Sequence, residues 1–266
     1  WALTTIYPFI WVILNSFKPR GLIRSDTFSL PIGDKFTLEN YVTAFKRVDI
    51  GTAYVNSIVI SGAVTVVVMV LAGLAAYAMV RYSFRLRGFL HSMIIASMMF
   101  PVFSTIIPVF RMESSWGIVN TGSIWLTRLS VVLPQIAGNL SFAIIVLMGF
   151  IRSLPVDLEE AAYLEGYNVY QIFFRIIMPL AKPSFATVGI FTFLWSYNDL
   201  FLQMFFLRSK KFFTITRLLN EISSQAGTNY GLMVAAVVMV VIPVLVVYIF
   251  LQNYIIKGMT AGAVKG

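Results

Sequence analysis

The chain has 266 residues, of which 59% are hydrophobic and only 12% charged, and its formal net charge is +9. A soluble domain carries roughly 45–50% apolar and about 25% charged residues, so this composition excludes an ordinary water-borne fold and points to a bilayer as solvent. Cysteine is absent and His91 is the single histidine. That excludes disulfide scaffolds, thiol catalysis and thiolate metal sites, and removes most zinc and iron chemistry.

A transmembrane helix needs about 20 mostly apolar residues. Charged residues bound six such runs: 1–17, 50–80, 88–110, 129–151, 183–207 and 232–256. The first begins at Trp1 rather than Met, so part of that span and an N-terminal segment are expected to precede it; its apolar start reads as a retained anchor, not a signal peptide. In the second run small residues recur four apart, Ser57 with Ser61 and Ala72 with Ala76. Such spacing lets helices approach closely in lipid, and ordinary helix composition explains it as well. Pro101, Pro108 and Pro134 predict bends in the third and fourth spans. His91, near the inner end of the third span, fits an interfacial residue better than a ligand. The runs are continuously apolar without period-two alternation, so helices are preferred over a barrel. An even number of spans puts both termini on one side.

The stretch 152–182, RSLPVDLEEAAYLEGYNVYQIFFRIIMPLAK, is no simple connector. Pro155 fits the first turn of a helix, and Asp157, Glu159 and Glu160 suit the positive end of its dipole. Gly166 can take the left-handed conformation that ends that helix, Asn168 can cap a second one, and Pro179 can stop it. Two short helices meeting at a bend are therefore expected at the membrane surface. Ala161 and Ala162 together make a patch small enough for another protein to approach. An amphipathic interfacial helix pair fits the same physics.

This segment resembles the EAA motif of ABC-importer permeases, carried here by Glu160, Ala161, Ala162, Gly166, Ile176 and Pro179, with Met178 standing where the family has Leu. The runs PVDLEEAA, LWSYNDLF at 194–201 and MTAGAVKG at 259–266 resemble the smaller permease of maltose-type carbohydrate importers. The resemblance covers the whole chain. It implies an all-α polytopic membrane helix bundle of six transmembrane helices, the type I ABC importer permease fold, as a single transmembrane domain over 1–266. It also implies a bacterial inner membrane location with both termini cytoplasmic, a cytoplasmic coupling loop at 152–182, and periplasmic loops at 18–49, 111–128 and 208–230. The last of these resembles the segment that reaches toward the binding protein.

By the same resemblance, Glu159, Glu160, Ala161, Ala162 and Gly166 contact an ATPase subunit, with Ile176 and Pro179 completing the motif and Thr260 to Gly266 a secondary contact. Implied partners are a second homologous permease in a heterodimer, two cytoplasmic ATPase subunits, a periplasmic solute-binding protein and membrane lipid, with no nucleic acid. The chain has no G-x-x-x-x-G-K-[ST] phosphate loop. It is accordingly expected to be a transport subunit rather than an enzyme, with no cofactor or metal of its own, and ATP and Mg held by the partner ATPases.

Polar groups within spans are candidates for a sugar path or for bonds between helices: Gln135, Asn139 and Ser141 in the fourth, and Trp195, Tyr197, Asn198, Asp199 and Gln203 in the fifth. A continuous fifth helix would put Asp199 about 12 Å below its outer end. With the EAA loop inside, eight of the 20 Lys and Arg residues face the cytoplasm and twelve lie outside, against six acids there. The positive-inside rule thus opposes the orientation that the motif implies. The external excess of positive charge would favour an anionic substrate such as an alginate oligosaccharide, and scattered solvated charge is the plainer reading. An ion-gradient-driven secondary transporter or channel would need buried ionisable groups, for which only Asp199 and His91 qualify. A membrane enzyme finds no histidine pair or clustered carboxylates within spans. Neither explains the EAA spacing.

Overall fold

A computed structural model describes residues 1–47, 49–226 and 229–263, and among these every regular element is helical. In chain order they are α1 (Ala2–Ser16), α2 (Leu22–Ser25), α3 (Glu39–Arg47), α4 (Ile50–Arg81), α5 (Arg87–Ser97), α6 (Val102–Ser115), α7 (Ile124–Ile151), α8 (Asp157–Leu164), α9 (Val169–Ile172), a π-helical stretch Phe173–Ile177, α10 (Met178–Leu180), α11 (Lys182–Asn198), α12 (Phe201–Phe206), α13 (Ile215–Ala226) and α14 (Tyr230–Ala263). The expected all-α architecture holds. Many large apolar side chains along these helices face outward, among them Val66, Phe89, Met93 and Phe103, as a bilayer permits and water does not.

α4 and α7 are each long and apolar enough to cross a membrane unbroken. The other predicted spans depart from single straight helices. The third is two helices, α5 and α6, bent by 104°. Pro101 stands at the break with φ −64° and ψ 126°, and the ring of a proline disfavours helical geometry in the residue before it. Pro108 and Pro134 lie inside α6 and α7. The fifth span stops at Asn198 and resumes as α12, so Asp199 is not in a continuous helix. Its Oδ1 instead accepts the Leu202 N–H at 3.2 Å, satisfying a donor in the first turn of α12. α1 and the stretch 230–246 are shorter apolar helices.

The chain divides into two compact units, one of Trp1–Ile58 with Asp199–Ile249 and one of Val59–Asn198 with Phe250–Gly266. In the first, polar side chains pin loops to helices. The buried Lys18 ammonium donates to the Asp26 and Thr27 carbonyls at 3.0 and 2.8 Å. Asn40 donates to the Ser16 and Lys18 carbonyls, and Phe17 stacks on Phe36. Asn56 donates to the Lys211 and Phe213 carbonyls while the Ser57 hydroxyl accepts the Ile215 N–H. The segment before α13 is therefore held by side chains of α4.

The second unit is built on close approach. Ala72 and Ala76 are fully buried, and a Cβ on Gly73 would come within 2.8 Å of the Phe185 ring. Gly189 meets the Met69 sulfur in the same way, at 2.9 Å. Gly73 and Gly189 thus let α4 and α11 approach closely, whereas Ser57, one of the small residues spaced four apart, serves a loop by accepting the Ile215 N–H.

Candidate functional site

The segment 152–182 folds mostly as its residues dictate. α7 winds down through bonds from Ser153 and Leu154 N–H to the Phe150 and Ile151 carbonyls, so α8 starts only at Asp157. Pro155 accordingly lies ahead of the helix and not in its first turn. Asp157, Glu159 and Glu160 occupy that first turn. At the other end Gly166 has φ +86°, and the Gly166 and Tyr167 N–H groups bond to the Tyr163 and Ala162 carbonyls, the double closure that a left-handed glycine makes available. Asn168 then caps α9: its Oδ1 accepts the Gln171 N–H at 2.9 Å and its own N–H donates to Gln171 Oε1 at 2.8 Å.

Pro179 does not stop the second helix. It lies within α10, and the five residues before α10, Phe173–Ile177, widen into a π-helix. A proline cannot donate to the carbonyl four residues back and crowds it, and a π turn just upstream takes up both effects. The helical run ends at Leu180 and, across Ala181, turns by 82° into α11.

α8 sorts the motif into two faces. Glu160, Ala161 and Gly166 are exposed, whereas Ala162 and Glu159 are buried, so the alanines do not form one shared patch. Ile176 is half-buried and Pro179 exposed. Glu159 is 4% exposed and both its oxygens are engaged. Arg81 Nε donates to Oε1 at 2.5 Å and the Tyr77 hydroxyl donates to Oε2 at 2.8 Å. Arg81 Nη2 also donates to the Leu154 carbonyl at 2.9 Å, and the Tyr82 and Tyr163 hydroxyls meet at 3.0 Å. Arg81 and Tyr77 lie some eighty residues from Glu159 in the chain, and no local pattern pairs them with it. Leu164, two residues after the EAA triplet, is 91% exposed on the same side of α8 as Glu160 and Ala161.

The polar residues of the fourth and fifth spans separate. Gln135 Oε1 accepts the Ser196 hydroxyl at 2.6 Å, a buried bond between α7 and α11, and Asn139 donates to the Gln135 carbonyl at 2.7 Å. Asn198 donates to the Leu194 carbonyl of its own helix. Tyr197 is buried against Phe193, with ring centroids 5.9 Å apart. Trp195 alone of this set is an exposed aromatic, edge-on to Phe142 at 4.8 Å. Ser141 bonds Ser97, joining α7 to α5, and Gln203 lies in the first unit, accepting the Thr214 hydroxyl. His91 is half-buried on α5. Of the C-terminal segment, residues 264–266 lie outside the described residues.

The chain is similar to known transport proteins in sequence and in fold. The family described as "Binding-protein-dependent transport system inner membrane component" matches residues 41–261. The diacetylchitobiose uptake system permease protein NgcG of Streptomyces coelicolor is 34% identical over 100% of this chain and 86% of its own length. The melibiose/raffinose/stachyose import permease protein MelC of Bacillus subtilis is 31% identical over 97% of this chain and 91% of its own. Among solved structures, a bacterial ABC transporter involved in the import of the acidic polysaccharide alginate superposes with a TM-score of 0.81 at 25% identity, covering 95% of this chain and 91% of that one. An alginate ABC transporter in complex with an alginate pentasaccharide-bound periplasmic protein superposes at 0.68 with 17% identity, over 93% of this chain and 86% of that one, a likeness of fold. The chain belongs to the family of inner membrane components of binding-protein-dependent transport systems.

Proposed function

We propose that this chain is one permease of a pair in an ATP-driven importer, taking up an oligosaccharide delivered by a periplasmic solute-binding protein. Two cytoplasmic ATPase subunits hold ATP and Mg and perform the hydrolysis, since this chain carries no phosphate loop. Segment 152–182 is the cytoplasmic coupling loop, both termini are cytoplasmic, and loops 18–49, 111–128 and 208–230 face the periplasm. The observation that carries the reading is the outward face of α8. There Glu160, Ala161 and Leu164 stand exposed beside the left-handed turn at Gly166. An exposed carboxylate, a small residue for close approach and a protruding leucine are what a protein cleft can hold. Relatives named for diacetylchitobiose and for melibiose, raffinose and stachyose support a sugar cargo.

A second reading makes the cargo acidic. Twelve of the 20 Lys and Arg residues fall in the segments placed outside, and the similar solved transporter is one involved in alginate import. A field of that sign steers anions toward the entrance.

The test is reconstitution of the chain with its partner permease, the ATPases and the binding protein in liposomes. Glu160→Lys is expected to abolish hydrolysis stimulated by the loaded binding protein and to weaken capture of the ATPases. Normal stimulation would remove the docking assignment. Uptake of neutral oligosaccharides as efficient as that of alginate oligosaccharides would remove the acidic reading and leave the importer standing.

A further inference from the structure

Glu159 and Glu160 are adjacent in sequence, and successive helical residues point about 100° apart. Only Glu160 is on the open side of α8. Glu159 has no free oxygen for a partner subunit: Arg81 and Tyr77 each take one, and the side chain is buried. Tyr77 and Arg81 are four apart and share one face of α4 at its last turn.

The contacts are spread along α8. Arg81 reaches the Leu154 carbonyl ahead of the helix and Glu159 in its first turn, while Tyr82 meets Tyr163 near its last residue. A helix tied at one point can swing about the turns that flank it, here the one leading from α7 and the left-handed turn at Gly166. A helix tied along its length cannot. A buried ion pair contributes little net stability, because desolvation of both charges offsets their attraction. The planar guanidinium, however, holds two acceptors in fixed directions at once, which is a geometric service. Arg81 at the C-terminal end of α4 and Glu159 in the first turn of α8 also each complement a helix dipole.

We propose that Arg81, Tyr77 and Glu159 form a positioning strut that binds α8 to the last turn of α4, so that Glu159 acts through α8 and does not touch the ATPase. The proposal rests on the reading of 152–182 as the ATPase-docking loop. Under it, displacement of α8 by a docked subunit is delivered directly to α4. Loss of the strut lets α8 move while α4 stays, so hydrolysis and transport come apart.

The experiment uses the assembled complex in lipid. The chain lacks cysteine, so once Ser83→Cys and Asp157→Cys are introduced and this subunit is spin-labelled before assembly with its partners, the pair spans the strut from exposed positions just past α4 and in α8. With the native strut the distance distribution is expected to be narrow and unchanged between nucleotide-free and ATP-bound states. Glu159→Gln is expected to broaden it and to lower substrate transported per ATP hydrolysed by about two- to thirtyfold, the range for a lost coupling contact, with the ATPases still co-purifying. Arg81→Lys keeps the charge but not the fork and is expected to fall between.

The strut is overturned if Glu159→Gln leaves the distribution and the transport ratio unchanged. It is equally overturned if that variant sheds the ATPases while the distribution stays narrow, since Glu159 would then be a direct contact. Should Glu159→Gln not assemble, Tyr77→Phe, which removes a single donor, decides by the same two readouts. Failure of the docking reading is seen separately, as normal ATPase capture and stimulation in Glu160→Lys.

Discussion

Gly73 of α4 lies so close to Phe185 of α11 that a Cβ built on the glycine would sit 2.8 Å from two carbons of the ring. Phe173 would stand 3.0 Å from the same Cβ and packs edge-on against Phe185, with ring centroids 6.5 Å apart, so the position is crowded by two rings. Gly73→Ala therefore overpacks the α4–α11 contact, at a cost of about 1–3 kcal/mol. Its apparent melting temperature in lipid nanodiscs is expected to fall. Gly62, on the same helix with nothing within 4 Å, is the control: Gly62→Ala is expected to be neutral or slightly stabilising. Equal melting of the two variants would contradict the packing account.

The turn that ends α8 depends on Gly166 at φ +86°. An L-residue there pays about 1–2 kcal/mol for the left-handed conformation. Gly166→Val is expected to unwind the last turn of α8, shift Leu164 and reduce stimulated ATP hydrolysis in the assembled complex. Gly166→Asn, the residue type that best tolerates this region, is expected to retain most of it. Matching activities for the two variants would show that the turn geometry is not used.

What the sequence disclosed here was local chemistry. The caps at Gly166 and Asn168 depend on residues within five positions of each other, so the two-helix form of 152–182 could be read directly. The apolar runs likewise give the spans, because burial in lipid depends on composition. Backbone continuity does not. Hydropathy is blind to the break after Asn198, although an Asp three residues before Leu202 is the kind of acceptor that opens a new helix. Pro179 was expected to stop a helix, and the compensating π turn depends on how the flanking run packs. The split between Glu159 and Glu160 needed Tyr77 and Arg81, some eighty residues away, which no spacing rule brings together.

The candidates within the fourth and fifth spans divide by what they touch. Ser196→Ala leaves Gln135 Oε1 short of a buried donor, and bonds of this kind between membrane helices contribute about 0.6 kcal/mol on average. Ser196→Ala is expected to lower thermal stability slightly with the apparent affinity for sugar unchanged. Trp195→Ala removes an exposed ring that can stack on a sugar face, and is expected to weaken transport several-fold with little change in melting. Exchange of the two outcomes would assign the cargo path to Gln135 and Ser196 instead.

Lys18 is fully buried with its ammonium on the Asp26 and Thr27 carbonyls. Burial pushes its pKa below the ordinary lysine value, opposed by the nearby Asp26 carboxylate. Lys18→Met strands both carbonyls, a loss of about 1–3 kcal/mol. Amide exchange across residues 21–36 is expected to accelerate while that of α7 and α11 stays at wild-type rates. Unchanged exchange in 21–36 would mean that the Phe17–Phe36 stack and Asn40 hold this segment without the lysine.

The account turns on the face of α8 that carries Leu164, and a single introduced thiol reads it most directly. In this cysteine-free chain, Leu164→Cys is expected to react with a membrane-impermeant maleimide in inside-out vesicles stripped of the ATPases, to be shielded when those subunits rebind, and to stay unlabelled from the periplasmic side of intact cells. Labelling from the periplasmic side, or a rate indifferent to the ATPases, would contradict it.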